Sequence, residues 1–223
     1  MRVVGGAWRG RSLEVPRGGS VRPTSERARE AVFDMLSSLG VLPGAVVADL
    51  FAGSGAMGIE ALSRGARSAV FVDSGREAVS CVERNLSLFG WSRPGAPRKR
   101  AGLPDSPGGS ADLPDSLGGC SADLPAAGRP AGEPEWTATV VQGDAVRWAG
   151  TGNTVDVAFC DPPYAYEAWR QLLGTLQATL IVAESDREIG PPNLAELLKV
   201  RRYGTTVVTL IQRDRVGGTR EAS

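Results

Sequence analysis

Apolar runs that alternate with helix-patterned segments constrain this chain more than any other feature. "AVVADLF" (45–51) leads into "AMGIEALSRG" (56–65), and "SAVFVD" (68–73) leads into "REAVSCVERNLSLFG" (76–90). "TATVVQGDA" (137–145), "VDVAFCD" (155–161), a helix over about 166–178 and "TLIVAES" (179–185) continue the series. Strands that are apolar throughout, rather than at every second residue, are buried on both faces. The order therefore implies an α/β fold, a mostly parallel sheet covered by helices on both sides. The final run, "LLKVRRYGTTVVTLIQR" (197–213), turns at Tyr203-Gly204 and reads as an antiparallel pair. With 223 residues there is room for one such domain and a small appendage.

The appendage is at the front. "RVVGGAWRGRSLEV" has two extended runs around glycines and reads as a small β-hairpin or meander. "VRPTSERAREAVFDMLSSLG" follows as a helix, with Thr24 or Ser25 as cap, Glu26 in the first turn, apolar Val32, Met35, Leu36 and Leu39, and Gly40 as the stop. We divide the chain into a basic N-terminal extension (1–40), a main domain (41–213) and a tail (214–223). Met1 to Arg29 hold seven arginines and two glutamates, so a chain of zero net charge still has one end suited to a polyanion. Residues 92–135 break the alternation. Their Pro, Gly, Ser, Ala and Asp include near-repeats such as "ADLPDSLGG" and too few large side chains to bury a core, so they read as a disordered insertion. The opening has no apolar signal core and no run spans a membrane, so the expected location is cytoplasmic, with no membrane partner.

The chain has no histidine. That excludes histidine general bases, Ser-His and Cys-His nucleophile pairs and most zinc sites, and no metal is expected. Cys81, Cys120 and Cys160 read as small buried hydrophobes. The chemistry must then come from carboxylates, hydroxyls, backbone groups or a cofactor.

"DLFAGSGAMG" (49–58) joins the first strand to its helix, and Gly53, Gly55 and Gly58 match the spacing of a dinucleotide-binding loop. Asp49, at the strand end, weighs against a pyrophosphate and for a ligand with a cationic amino-acid end. S-adenosylmethionine has such an end, together with a sulfonium, a ribose and an adenine. Asp73, at the tip of the second strand, is placed for a ribose in either reading. Asp144, in "QGDA", is a third strand-end acid, suited to an adenine amino group but also an ordinary turn residue. Asp161 is the fourth, in "CDPPYAY". An exocyclic base amine is a poor nucleophile because its lone pair is delocalised into the ring. Acceptors on both N–H bonds favour a tetrahedral nitrogen, and Asp161 and the free carbonyl of Pro162 are suited to the task, with Pro163 stiffening the loop and Tyr164 stacking on the base. The plain alternative is a turn that ends a strand.

"DLFAGSGAMGIEALSRGA", "FVD", "VVQGDA", "DPPY" and "RRYG", after "RVVGGAWRGRSLEV" and "RPTSERARE", resemble the RsmD family over nearly all of 1–91 and 136–213. The resemblance implies a Rossmann-like sheet of seven strands with its last pair reversed. It also implies methylation of N2 of a guanine in 16S rRNA with S-adenosylmethionine, on an assembling small ribosomal subunit. By position it implies cofactor contacts at Asp49, Phe51, Ala52, Gly53, Ser54, Gly55, Asp73, Asp144 and Ala145. The catalytic loop is then Asp161, Pro162, Pro163 and Tyr164, and Arg9, Arg11, Arg22 and Arg27 are phosphate contacts. A monomer is expected. The alternatives are the same chemistry on DNA adenine or protein glutamine, a non-catalytic RNA-binding factor, and an NAD-dependent oxidoreductase.

Overall fold

The computed structural model describes residues 1–16, 23–93, 136–192 and 195–213, apart from the side chains of 23–25. The insertion expected over 92–135 therefore lies outside the described residues except at its first two positions, and the tail 214–223 lies wholly outside them. Within them the chain forms α1 (Pro23–Ser38), β1 (Val46–Leu50), α2 (Ala56–Ser63), β2 (Ser68–Asp73), α3 (Arg76–Ser87) and β3 (Thr137–Gln142). Then follow α4 (Ala145–Ala149), β4 (Thr154–Cys160), α5 (Trp169–Thr175), β5 (Gln177–Ser185), β6 (Ala195–Tyr203) and β7 (Thr206–Arg213). No helix among the described residues is long and apolar enough to cross a membrane.

The seven strands form one sheet in the order β3-β2-β1-β4-β5-β7-β6. β1 to β5 pair in parallel, and β7 is antiparallel to both β5 and β6. The expected α/β class and reversed last pair are thus observed. Val47, Val157, Phe159 and Val182 face one layer, built from α1, α2 and α3. Ala48, Leu50, Ala158, Cys160, Ile181 and Ala183 face the other, built from α4 and α5. This two-sided burial is why these strands carry no polar alternation.

Three local expectations change. The N-terminal hairpin is irregular: its antiparallel arms meet at the bridge Arg2–Ser12 and through bonds from the Val3 N–H to the Arg11 carbonyl (2.9 Å), the Leu13 N–H to the Met1 carbonyl (2.8 Å) and the Gly10 N–H to the Val3 carbonyl (2.9 Å), without regular strands. Gly5 and Gly6 pack against the C-terminal end of α2, at Arg64 and Ser63. A Cβ at Gly6, at φ 75°, would stand 1.9 Å from the Ser63 carbonyl oxygen. Helix α1 begins at Pro23, ahead of the expected caps, because the fixed φ of proline suits a first helical turn. Leu39 is 51% exposed just past the end of α1, whereas Arg29 is 4% exposed and lies on the face of Val32, Phe33 and Leu36. Helix α5 is confined to seven residues, shorter than expected, since Pro162 to Ala168 form the loop above the sheet.

Gly58 sits in the first turn of α2 against the ring of Phe71 on β2. A Cβ there would lie 2.3 Å from Phe71 Cε1, and Phe71 is fully buried. Gly58→Ala is expected to destabilise the fold by about 1–3 kcal/mol through overpacking. Gly174→Ala, in α5 with open space at its Cβ, should be neutral or slightly stabilising. Urea unfolding of both variants checks the contrast. The ends of the insertion are clamped together. Trp91 Nε1 donates to the Ala138 carbonyl (2.9 Å), and Trp8 stacks on Phe89 while meeting Trp136 edge-on. Replacing 94–135 by a short Gly/Ser linker should leave the melting temperature within a few degrees, since closure cost grows slowly with loop length. Loss of cooperative melting would show that the segment supports the fold.

Candidate functional site

The strand order reverses between β1 and β4, and β2 and β5 flank the pair. In open α/β sheets a crevice forms at such a point, beyond the carboxyl ends of the strands. Here it is a cavity of about 630 Å³. Asp49 from β1, Asp73 from β2, Asp161 just past β4 and Glu184 from β5 all line it. Four carboxylates from four strands thus meet in one crevice.

The loop after β1 shapes its floor. Phe51 adopts φ 66°, a left-handed conformation that is rare for a bulky side chain, and Gly53 and Gly55 continue the turn at φ 55° and 77°. Two carboxylates hold the loop. Asp73 Oδ2 accepts the Gly53 N–H (2.9 Å) and its Oδ1 accepts the Gly75 N–H (2.8 Å). Asp49 Oδ2 accepts the Gly58 N–H inside the first turn of α2 (2.8 Å). Asp49 is 3% exposed, and burial raises its pKa to about 8; the Gly58 bond opposes this shift, while Asp161 and Asp73 add to it.

Of the expected cofactor residues, Phe51, Ala52, Gly53 and Ser54 line the cavity with Asp49 and Asp73. Gly55 is buried behind the loop at the N-terminus of α2, and a Cβ there would meet Val82 and Phe71. Asp144 and Ala145 are not in the cavity wall. Asp144 is exposed and caps α4 by accepting the Arg147 N–H (2.8 Å), as an ordinary turn acid would. Its charge still reaches Tyr166, whose pKa burial pushes up to about 12, with Asp144 as the next cause. Tyr166 lines the cavity and meets Phe51 edge-on at 5.1 Å.

The "DPPY" residues form the opposite wall. Asp161, Pro162, Pro163 and Tyr164 all line the cavity, and Tyr164 is tethered by a 2.9 Å bond between its hydroxyl and Thr206 Oγ1 at the start of β7. The reversed β7 is what brings Thr206 to this end of the sheet. Cys160 lies behind the loop. Burial, then Asp49 and Asp161, push its thiol well above its ordinary range, which leaves it a neutral core side chain.

None of the described residues among the expected phosphate contacts lines the cavity. Arg9 belongs to the tip that packs on Ser63 at the C-terminal end of α2, where the Ser63 carbonyl accepts the Ala7 N–H (2.7 Å). Arg11 is two residues further, opposite Val3. That tip faces the far end of the sheet, near Trp136 ahead of β3. Arg27 is exposed on α1, and Arg22 lies outside the described residues. Among the described residues Arg29 does line the cavity, as do Glu184, Tyr166 and Thr206. None of these four was singled out as a site residue. Two had a legible signal. Glu184 is a strand-end acid like the others, and Arg29 falls on the apolar period of α1.

The family profile described as "Conserved hypothetical protein 95" matches residues 1–100. The Bacillus subtilis (strain 168) protein named "Putative rRNA methyltransferase YlbH" is 30% identical over 227 residues, 96% of this chain and 99% of that protein. "Ribosomal RNA small subunit methyltransferase D" of Escherichia coli (strain K12) is 44% identical over 89 residues, 40% of this chain and 44% of that protein. The solved structure titled "Putative methyltransferase yhhF from Escherichia coli" superposes with a TM-score of 0.68 at 27% identity, over 96% of this chain and 98% of that one.

The raised pKa of Asp49 makes a prediction. Its carboxyl ionises near the ordinary value of 3.8 when unfolded and near 8 when folded, so between these the folded state holds a proton that the unfolded state has lost. Stability from this group therefore falls as pH rises through that window. The melting temperature of Asp49→Asn minus that of the wild type should grow more positive from pH 5 to pH 8 and level off above. A flat difference in differential scanning calorimetry would show that Asp49 is ionised in the folded protein.

Proposed function

Because the chain belongs to the RsmD family of rRNA methyltransferases, we propose that it methylates the exocyclic N2 of a guanine in 16S rRNA with S-adenosylmethionine, on an assembling small subunit in the cytoplasm. The observation that carries this reading is the meeting of Asp49, Asp73 and the Asp161–Tyr164 loop in one crevice.

The crevice fits S-adenosylmethionine by its donor set. Asp73, which accepts the Gly53 N–H of the glycine turn, suits the ribose hydroxyls, and Asp49 suits the ammonium. A cation placed there relieves the condition that holds Asp49 protonated, so binding would release its proton. Phe51 and Tyr166 offer aromatic walls for the adenine, with Asp144 at the rim. The donor supplies a methyl on a cationic sulfur and leaves as S-adenosylhomocysteine.

The chain's own residues then act on the acceptor. Tyr164, tied to Thr206, presents a ring on which a flipped-out base can stack. Asp161 and the Pro162 carbonyl accept the two amine hydrogens and turn the nitrogen lone pair out of conjugation, a preference that strengthens as nitrogen becomes positive in the transition state. The proton lost from N2 passes to Asp161 and on to water. No histidine is required, because the methyl arrives already activated.

Asp161→Ala should lower methyl transfer to unmodified small subunits by at least about 10³-fold, since it removes both the acceptor and the proton route. S-adenosylmethionine affinity should stay within a few-fold. Labelled transfer with mass spectrometry of the product nucleosides tests both points. Product other than N2-methylguanosine would reassign the acceptor, and loss of donor binding in Asp161→Ala would move that residue to the cofactor side.

A further inference from the structure

The proposed reaction leaves one matter open: how the crevice tells guanine from the other bases that carry an exocyclic amine. Cys160 of β4 is paired in parallel with Ala183 of β5. The residues one step on, Asp161 and Glu184, therefore stand level at the ends of adjacent strands, about 4.8 Å apart across the sheet. Alternation along β5 turns Glu184 toward the face of Val182, away from that of Ala183, and both acids line the crevice. Arg29 enters the same crevice from α1, a helix packed on β7 and β6. It is 4% exposed, its Nη2 donates to the Arg2 carbonyl (2.8 Å), and its Nε has no hydrogen-bond partner among the described residues. The charges of Glu60, Glu26 and Glu184 all act on it, and Glu184 lines the same crevice.

We propose that Asp161, Glu184 and Arg29 together read the Watson–Crick edge of the target base and select guanine. The inference rests on the reaction proposed above. That edge of guanine presents, in order, the N2 amine (donor), N1–H (donor) and O6 (acceptor). The crevice presents a carboxylate, a second carboxylate beside it, and then a guanidinium. With the amine on Asp161, N1–H faces Glu184 and O6 faces Arg29.

Adenine fails on the second position. With its N6 amine on Asp161, the next edge atom is N1, a lone pair that would face the Glu184 carboxylate. Cytosine fails in the same way, because N3 beside its N4 amine is also an acceptor. Glu184 is thus a selecting element by repulsion as well as by attraction. Arg29 has a further reason to meet O6. A buried guanidinium with an unbonded N–H is costly until an acceptor arrives. The catalytic loop alone would suit several amines, and the second carboxylate narrows the choice.

The test uses small subunits reconstituted on 16S rRNA that carries either guanine or 2-aminopurine at the methylated position. 2-Aminopurine keeps the N2 amine but has an N1 lone pair and no O6. The wild type should favour guanine in kcat/KM by on the order of 10²-fold or more, as sites built around a substrate N–H do. Glu184→Gln can donate from its amide to the N1 lone pair. It should lose activity on guanine, narrow the guanine to 2-aminopurine ratio at least about tenfold, and bind S-adenosylmethionine as the wild type does. Equal wild-type rates on the two bases overturn the proposal without any variant. An unchanged ratio in a Glu184→Gln protein that binds the donor normally overturns it as well. A wild type that binds the donor yet labels neither subunit overturns the reaction itself, and the base reading falls with it.

Discussion

One buried hydrogen bond organises this molecule, from the Gly58 N–H to Asp49 Oδ2 at 2.8 Å. It ties the end of the central strand to the first turn of the helix that follows, across a loop that must reverse direction in a few residues. The bond satisfies a helix-terminal N–H that would otherwise be orphaned in the core. It is short enough to work because Gly58 has no side chain, so Phe71 can pack directly beneath the helix. The left-handed turn through Phe51, Gly53 and Gly55 is held in place by this bond on one side and by Asp73 on the other. Everything that lines the floor of the crevice hangs on those two carboxylates.

The same economy sets the electrostatics. Asp49 is structural and titratable at once, and its raised pKa records the cost of keeping an acid in the core beside two others. A crevice with four carboxylates and one buried arginine favours ligands rich in donors and cations. In the proposed reading a single site meets this need twice, with a sulfonium amino acid on the β1–β2 side and the donor-rich edge of a base on the β4–β5 side. In that reading the two halves share the β1–β4 reversal, which would bring a methyl donor and its acceptor together.

Much of this was legible in order. Unbroken apolar runs imply a two-sided parallel sheet, and an acid just past each of several runs implies a site at one end of it. Glu184 obeys the same rule as Asp49 and Asp161, and "TLIVAES" carried the signal. The period that places Arg29 with Val32, Phe33 and Leu36 was likewise in the letters, although a charged residue on an apolar stripe reads more easily as a flank. Asp144 shows the limit in the other direction. This strand-end acid also caps α4 by accepting the Arg147 N–H, a role the letters alone did not separate from a ligand contact.

By itself, the sequence determined the class of fold, the alternation of faces, the glycine turn and the exclusion of histidine chemistry, since each depends on local periodicity or on residue type. The tertiary structure alone decided which distant groups meet. Strand pairing sets Asp161 level with Glu184, the reversal of β7 brings Thr206 to Tyr164, and α1 delivers a buried Arg29 while the arginine-bearing N-terminal loop packs its tip at the far end of the sheet. These are matters of register and crossing between elements more than twenty residues apart. They are set by how whole faces are buried, which no short window of sequence contains.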